Sequence, residues 1–361
     1  MWLAWNEIKH NKKNYGLIGL TIVLMLFMVI FLSGLTNGLA RAISAGIDNS
    51  NAEYFVISDD AENLIAASSL NEDEVSNIKN MTSSNASAIN IKRSYITKEG
   101  GTDKENIAYF AIDTDEFINP NVVEGTKLGD EEYTIVLNEV MKDKGINIGD
   151  KIIDNASGIE LIVVGFAKDA YYSHVSVGYI SFETFEKIET TINPYYETRY
   201  NAVAINGTDV DGIKLTGVEV VDREVIIENL PGYSAEKITI NMIIWVLVII
   251  TGAILAVFFY IITIQKRKQY GVMKAIGMKN SEISSVIIQQ ISILSCIGTV
   301  CGVLLAYGLS LVLPASMPFY FNILDAAIIA VVFIIISILG SLLSVIKVNK
   351  VDPLITIGGA E

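Results

Sequence analysis

The chain has 361 residues, 51% of them hydrophobic, a net charge of −14, two cysteines and two histidines. Cys296 and Cys301, five residues apart in one apolar run, make neither a disulfide framework nor a zinc site, and two histidines leave histidine-based catalysis little to work with. The charge is unevenly divided: residues 41–237 hold 35 acids against 16 bases, and the remainder holds 5 acids against 10 bases. An acidic domain of this kind is a solvated surface and argues against nucleic acid as a partner.

Residues 1–14 form a short amphipathic segment in which Trp2, Leu3, Trp5 and Ile8 oppose Lys9, His10, Lys12 and Lys13. Tryptophan beside lysine is the pattern of a helix lying along a membrane interface. Residues 15–40 follow as a first membrane helix, whose uncharged core from Leu17 to Leu35 has about the 20 residues a bilayer crossing needs. That core is longer than the apolar stretch of a signal peptide, so a retained anchor is expected. It ends in Ser33-Gly34-Leu35-Thr36-Asn37-Gly38, and Gly298 and Gly302 repeat the four-residue glycine spacing that lets helices approach closely in lipid. The same spacing also arises by chance in apolar helices.

Residues 41–237 are long enough for one or two subdomains with a real core. Strand patterns fall at 54–58, 88–97, 106–112, 160–166, 175–181 and 201–205. Asn71 to Met81 opens Asn-Glu-Asp-Glu and reads as a capped helix, with shorter helices expected over 137–144 and 182–188. Gly149-Asp150 and Gly158 suggest hairpin turns. Val225 to Leu230, broken by Pro231-Gly232-Tyr233, forms a stalk above the next span.

Residues 238–265 and 326–346 are further membrane helices, the latter with Asp325 placed to cap it. Residues 283–313 form another, ended by Pro314, with an external loop over 314–325 that is uncharged from Pro314 to Asn322. The two cysteines in that third span are expected to be small core residues. Lys9, Lys12 and Lys13 before the first span, Lys347 and Lys350 in the 347–361 tail, and the basic loop 266–282 fall on one side of the membrane. Basic loops stay inside, so both termini are expected in the cytoplasm and the large domain outside. The fold class expected is an α+β membrane protein: four transmembrane helices, with a large mixed α/β extracytoplasmic domain between helices 1 and 2.

The loop 266–282 carries Lys266, Arg267, Lys268, Lys274 and Lys279 with no acid before Glu282. Within it Val272, Met273 and Ile276 fall on one helical face, bracketed by Gly271 and Gly277. A short helix with a small apolar face at the membrane surface suits docking into a partner's groove. The plain alternative is an ordinary basic loop. The chain has no phosphate-binding Gly-x-x-x-x-Gly-Lys-Ser/Thr run, no Gly-x-Ser-x-Gly elbow and no His-Glu-x-x-His pair. Charged residues are absent from the middle of all four spans, where a proton- or sodium-coupled carrier would place some. Energy is therefore expected from another subunit.

One helix, a large outer domain, three more helices and the loop Tyr270-Gly271-Val272-Met273-Lys274-Ala275-Ile276-Gly277 resemble the MacB/FtsX-type ABC transporter permeases. The tail Lys350-Val351-Asp352-Pro353-Leu354 is similar to that family's terminal signature, although Ile355 and Thr356 stand where the family commonly has an acid and an alanine. The stretch Gly165 to His174, the runs Tyr233-Ser234-Ala235-Glu236 and Met317-Pro318-Phe319-Tyr320, and the closing Ile357-Gly358-Gly359-Ala360-Glu361 resemble the family's haem-efflux members. The resemblance covers essentially the whole chain. It implies a non-catalytic permease that pairs with itself and with two copies of a separate ATPase. The ATPase would be contacted through Tyr270, Val272, Met273, Lys274 and Ile276. ATP belongs to that partner, and haem is the implied cargo rather than a resident cofactor.

Ferric haem accepts tyrosinate, histidine, methionine or cysteine as axial ligand. The densest supply outside the membrane is Tyr171-Tyr172-Ser173-His174. Under the resemblance, Tyr172, His174, Tyr233 and Met242 are the candidate haem-binding residues, although tyrosines at a membrane interface also form anchoring belts. The rival expectation is a mechanotransmitting or signalling permease that moves its outer domain without cargo, or an exporter of peptide or lipid.

Overall fold

The computed structural model describes residues 2–129, 131–314 and 317–349. The tail motifs Lys350 to Leu354 and Ile357 to Glu361 lie outside the described residues, as do the side chains of Trp2, Leu3 and Lys347. The chain divides into a helical unit, Met1–Gly38 with Ile238–Glu361, and a sheet unit, Leu39–Lys237.

In the helical unit, α1 (Trp2–His10) leads through a turn at Asn11 into α2 (Lys12–Asp48), whose last turns belong to the sheet unit. The remaining helices are α6 (Tyr233–Gln265), α7 (Arg267–Ala275), α8 (Asn280–Ser310) and α9 (Ile323–Asn349), while α3 (Glu72–Met81), α4 (Phe182–Ile192) and α5 (Arg223–Asn229) are short helices of the sheet unit. Four helices, Tyr15–Asp48, Tyr233–Gln265, Asn280–Ser310 and Ile323–Leu342, are long and apolar enough to cross a membrane.

Glycine sets their spacing. Gly298 and Gly302 of α8 lie against Ile22 and Leu26 of α2, so a side chain at either glycine would push the helices apart. Gly34 and Gly38 instead receive the loop after α8: Phe319 covers the first and Pro318 the second, and the Tyr320 N–H donates to the Gly34 carbonyl over 2.9 Å. Asp325, in the first turn of α9, accepts from Asn37 Nδ2 at 2.6 Å. Cys296 and Cys301 are exposed, contrary to the expected core role. The packed face of α8 runs through Ile287, Gln290, Leu294, Gly298 and Gly302, and both cysteines fall off it. In a span that is apolar all round, hydrophobicity does not mark the packed side.

The sheet unit contains eleven strands among the described residues: β1 (Tyr54–Ser58), β2 (Asn85–Lys98), β3 (Lys104–Ile112), β4 (Val122–Gly125), β5 (Thr134–Asn138), β6 (Lys151–Asp154), β7 (Glu160–Ala167), β8 (Tyr171–Tyr172), β9 (Val175–Ser181), β10 (Ala202–Asn206) and β11 (Val218–Asp222). The main path runs β11-β1-β10-β2-β3-β9-β5-β7-β4. Because β6 pairs with both β2 and β7, strands β2, β3, β9, β5, β7 and β6 close into a ring. The β3–β9 and β5–β7 pairs are parallel and the others antiparallel.

Strand alternation fills both faces. Ile107, Tyr109 and Ala111 of β3 enter the interior of the ring with Ile135, Leu137, Val163 and Phe166. Ala108, Phe110 and Ile112 point the other way, into a second core shared with Ile43 and Ile47 of α2, Phe55, Tyr172 and Tyr179. The capped helix α3 (Glu72–Met81) begins at Asn71, which exchanges hydrogen bonds with Glu74 as a capping box. Of the helix expected over 137–144, Glu139–Lys144 forms a 3-10 helix, while Leu137 and Asn138 are the end of β5. All five β5 residues are buried, so the segment shows no alternation that would have marked it as a strand.

Candidate functional site

Tyr172 ends β8 and Val175 begins β9, and the two residues between them, Ser173 and His174, have φ of 47° and 64°. Consecutive left-handed residues make the tight hairpin turn that Asn-Gly fills at lowest cost. With serine and histidine there, the turn is held from outside. The Ser173 and His174 N–H groups donate to the Ile43 and Ala42 carbonyls at 2.8 Å each, and Arg93 Nη2 donates to the Ser173 carbonyl at 3.0 Å. Strained backbone kept in place by surrounding bonds is a common mark of a working site.

The turn presents His174 to solvent, where its Nε2 lies 3.0 Å from Glu236 Oε1. Tyr233, one helical turn before Glu236, packs against the second core, and Lys237 Nζ sits 5.2 Å over its ring. Tyr172 is buried edge-on to Phe110, with ring centroids 5.5 Å apart. Burial pushes its phenol up to about 12, partly opposed by the Arg93 guanidinium. Tyr179, on the other side of Phe110, is also pushed up by burial.

The sheet unit therefore brings together three of the expected residues, Tyr172, His174 and Tyr233, and adds Glu236 and Arg93. Glu236 stood in the sequence run Tyr233-Ser234-Ala235-Glu236, where spacing of three on a helix could have marked it as a neighbour of Tyr233. Met242 belongs to the helical unit, on α6, with 61% of its surface exposed. Chemically, His174 and Glu236 offer a donor nitrogen and a carboxylate at the surface. Tyr172 offers a phenol that must be uncovered and lose its proton before it can ligate a metal. Among the described residues no group of three His, Cys, Asp or Glu side chains is placed to hold a metal ion.

The basic loop is ordered differently from its sequence pattern. Tyr270 is fully buried, and burial, with Glu7 beside it, raises its phenol pKa. Met273 packs against the same core, whereas Val272 and Ile276 are 52% and 75% exposed. The three apolar residues thus do not share one face. Tyr270 and Met273 anchor α7 inward, and Val272 and Ile276, four residues apart, form the knob. Gly271 lies inside the helix, while Gly277, with φ of 100°, follows its end. Lys274 is half-buried.

A four-helix membrane unit, a mixed sheet domain and a basic loop with an apolar knob define a permease of the ABC transporter type. Residues 241–353 match the family described as FtsX-like permease C-terminal, and residues 16–215 match the MacB-like periplasmic core domain. The chain belongs to the MacB/FtsX-type family of ABC transporter permeases, a membrane protein with an extracytoplasmic domain. It is 32% identical over 366 residues to the putative hemin transport system permease protein HrtB of Staphylococcus haemolyticus, with all of both chains covered. A protein of the same description from Staphylococcus epidermidis is 32% identical over 364 residues, again with full coverage. Among solved structures, the extracellular domain of the noncanonic ABC-type transporter YknZ from Gram-positive bacteria matches at 14% identity and a TM-score of 0.34, over 47% of this chain and 99% of that one.

Proposed function

We propose that this chain is the permease of an ATP-driven efflux complex that removes haem from the membrane. Two copies pair with each other and with two copies of a separate ATPase, and both termini lie in the cytoplasm. The ATPase grips the Val272–Ile276 knob, where the apolar pair supplies affinity and Arg267, Lys268 and Lys274 orient the encounter. Haem enters from the lipid, passes Met242 and Tyr233, and is received at the strained turn, where His174 or the uncovered Tyr172 ligates its iron. Domain boundaries follow from that path: 41–237 is the moving outer part, and 266–282 is the part that is pushed.

The observation that carries this reading is the turn itself. A two-residue left-handed hairpin without glycine holds His174 against Glu236, beside Tyr172 and Tyr233, in a chain whose full-length relatives are named for hemin transport. The test is to purify the chain with its ATPase, titrate haemin by visible absorption and measure growth of the gene deletion in haemin. Expected are a tyrosinate or histidine ligation band, its loss in Tyr172→Ala with Tyr233→Ala, and haem-sensitive growth. A wild-type spectrum in the double variant removes the tyrosines from the site, and one that also survives His174→Ala removes the site. Haem-tolerant deletion cells with a cell-wall or peptide-resistance defect replace the cargo reading by the mechanotransmitting one.

A further inference from the structure

Beneath the basic loop four side chains from four parts of the helical unit close a polar ring inside an otherwise apolar core. Glu7 of α1 pairs with Lys266, the residue between α6 and α7, through one carboxylate oxygen. Its other oxygen accepts from Gln290 Nε2 of α8. Tyr15 of α2 joins the two sides: its hydroxyl accepts from Lys266 Nζ at 2.7 Å and donates to Gln290 Oε1 at 2.9 Å. The ammonium also lies 4.7 Å over the Tyr15 ring. Tyr15, Lys266 and Gln290 are all buried, and around them pack Tyr270, Phe259, Ile287 and Ile291.

A buried ion pair is weak evidence for stability, because well-packed apolar residues of similar volume commonly hold the same elements together as well or better. What the ring supplies instead is geometry. Each member bonds two others, so no one of the four elements can shift without breaking bonds to two more. The position is telling. Lys266 is the residue that interrupts the helix between α6 and α7, with φ of −93° and ψ of 7°. On the far side of the ring, the backbone bonds from Asn11 to Glu7 and from Tyr15 to Asn11 join α1 to α2, which continues unbroken to Asp48.

We infer that Glu7, Tyr15, Lys266 and Gln290 are positioning residues that make α1 and α2 follow α7, so that a push on the loop is delivered to the first membrane helix as well as to α6. This rests on the reading that α7 receives the stroke of a separate ATPase. The ring touches no cargo and acts only through the helices it joins.

The test uses the full permease assembled with its ATPase and reads amide hydrogen exchange with and without ATP, in the absence of haem. In the wild type, exchange changes in both α7 and α1. In Glu7→Leu with Lys266→Met, which replaces the ring by apolar contacts, α7 still responds and the α1 response falls at least threefold. Tyr15→Phe, a milder variant that keeps the packing, gives a partial loss, and the exchanged pair Glu7→Lys with Lys266→Glu restores part of it. An α1 response of wild-type size in both the apolar pair and Tyr15→Phe overturns the inference. A wild-type complex in which α7 itself ignores ATP overturns it together with the ATPase reading. Haem tolerance, measured separately, bears only on the cargo.

Discussion

The two units use the same residue types for opposite ends. In the sheet unit Phe55, Phe110 and Phe166 are fully buried, and strand alternation sends apolar side chains into cores on both faces. In the helical unit much of the apolar surface points outward: Ile238, Trp245, Ile249, Leu304 and Ile328 are all exposed. Water drives the first unit together. Lipid is as apolar as leucine, so the second must rely on close backbone approach, as at Gly298 and Gly302. Hydrophobicity therefore marks the inside of one unit and the outside of the other.

The largest expected effect sharpens that contrast. Phe110→Ala empties the centre of the second core, between Tyr172 and Tyr179, and should lower the stability of the sheet unit by about 3–5 kcal/mol. Leu304→Ala removes a comparable apolar side chain from a position that is 61% exposed and should cost less than about 1 kcal/mol in detergent or lipid. Thermal unfolding of the purified chain separates them. Equal losses would mean that Leu304 is covered by something and that the contrast fails there.

Next in size is the knob. Val272→Glu with Ile276→Glu puts two charges on the exposed face of α7 while leaving Tyr270 and Met273 in place. ATPase binding should weaken by roughly 30-fold or more, as loss of an interface hot spot does, with the thermal midpoint of the permease unchanged. Pull-down of the ATPase and ATP-dependent export report the outcome. A charged knob that binds and exports normally breaks the proposed route of force.

How much of this could be read beforehand follows from the same contrast. The four spans were legible because a bilayer imposes length and the absence of charge, and β1, β3, β7 and β9 because β-branched and aromatic residues cluster in them. β5 was not, since a strand buried on both faces loses its period. β4, β8 and β11 were also missed, being two to five residues long or lying at the ends of the sheet. Residue types together with the family resemblance placed Tyr172, His174 and Tyr233 as candidates, but nothing local announced that Ser173 and His174 would be left-handed, because the bonds holding them come from Ala42, Ile43 and Arg93, far away in sequence. The same applies to the ring: Glu7 and Gln290 stand 283 positions apart.

Tyr172 gives a prediction with a sign. Its phenol is held up at about 12 by burial, against about 10 in an unfolded chain. A raised tyrosine favours its neutral form in the fold, so its contribution is complete below pH 10 and is lost as the pH rises from 10 through 12. Tyr172→Phe keeps the edge-on contact with Phe110 and has no proton to lose. Between pH 10 and 12 the wild type should lose on the order of 2 kcal/mol that the variant keeps, seen as a higher alkaline unfolding midpoint for Tyr172→Phe. If Tyr172 ligates haem as tyrosinate, haemin affinity below pH 10 should also rise with pH in the wild type and stay flat in the variant.

The smallest expected change in stability falls where the functional change need not be small. Glu236 and His174 face solvent, and an exposed pair of this kind contributes about 1 kcal/mol or less and weakens with salt. Glu236→Gln should therefore leave the thermal midpoint within about 2 °C, since the turn that carries His174 is held by Ala42, Ile43 and Arg93 and not by the carboxylate. The variant still removes the negative charge facing the imidazole. If His174 meets haem iron, its Soret band or affinity should move in Glu236→Gln while folding does not. His174→Ala should then abolish any further effect of Glu236→Gln. Independent, additive effects of the two substitutions would mean that the pair is only a surface contact and that ligation, where it occurs, belongs to the tyrosines.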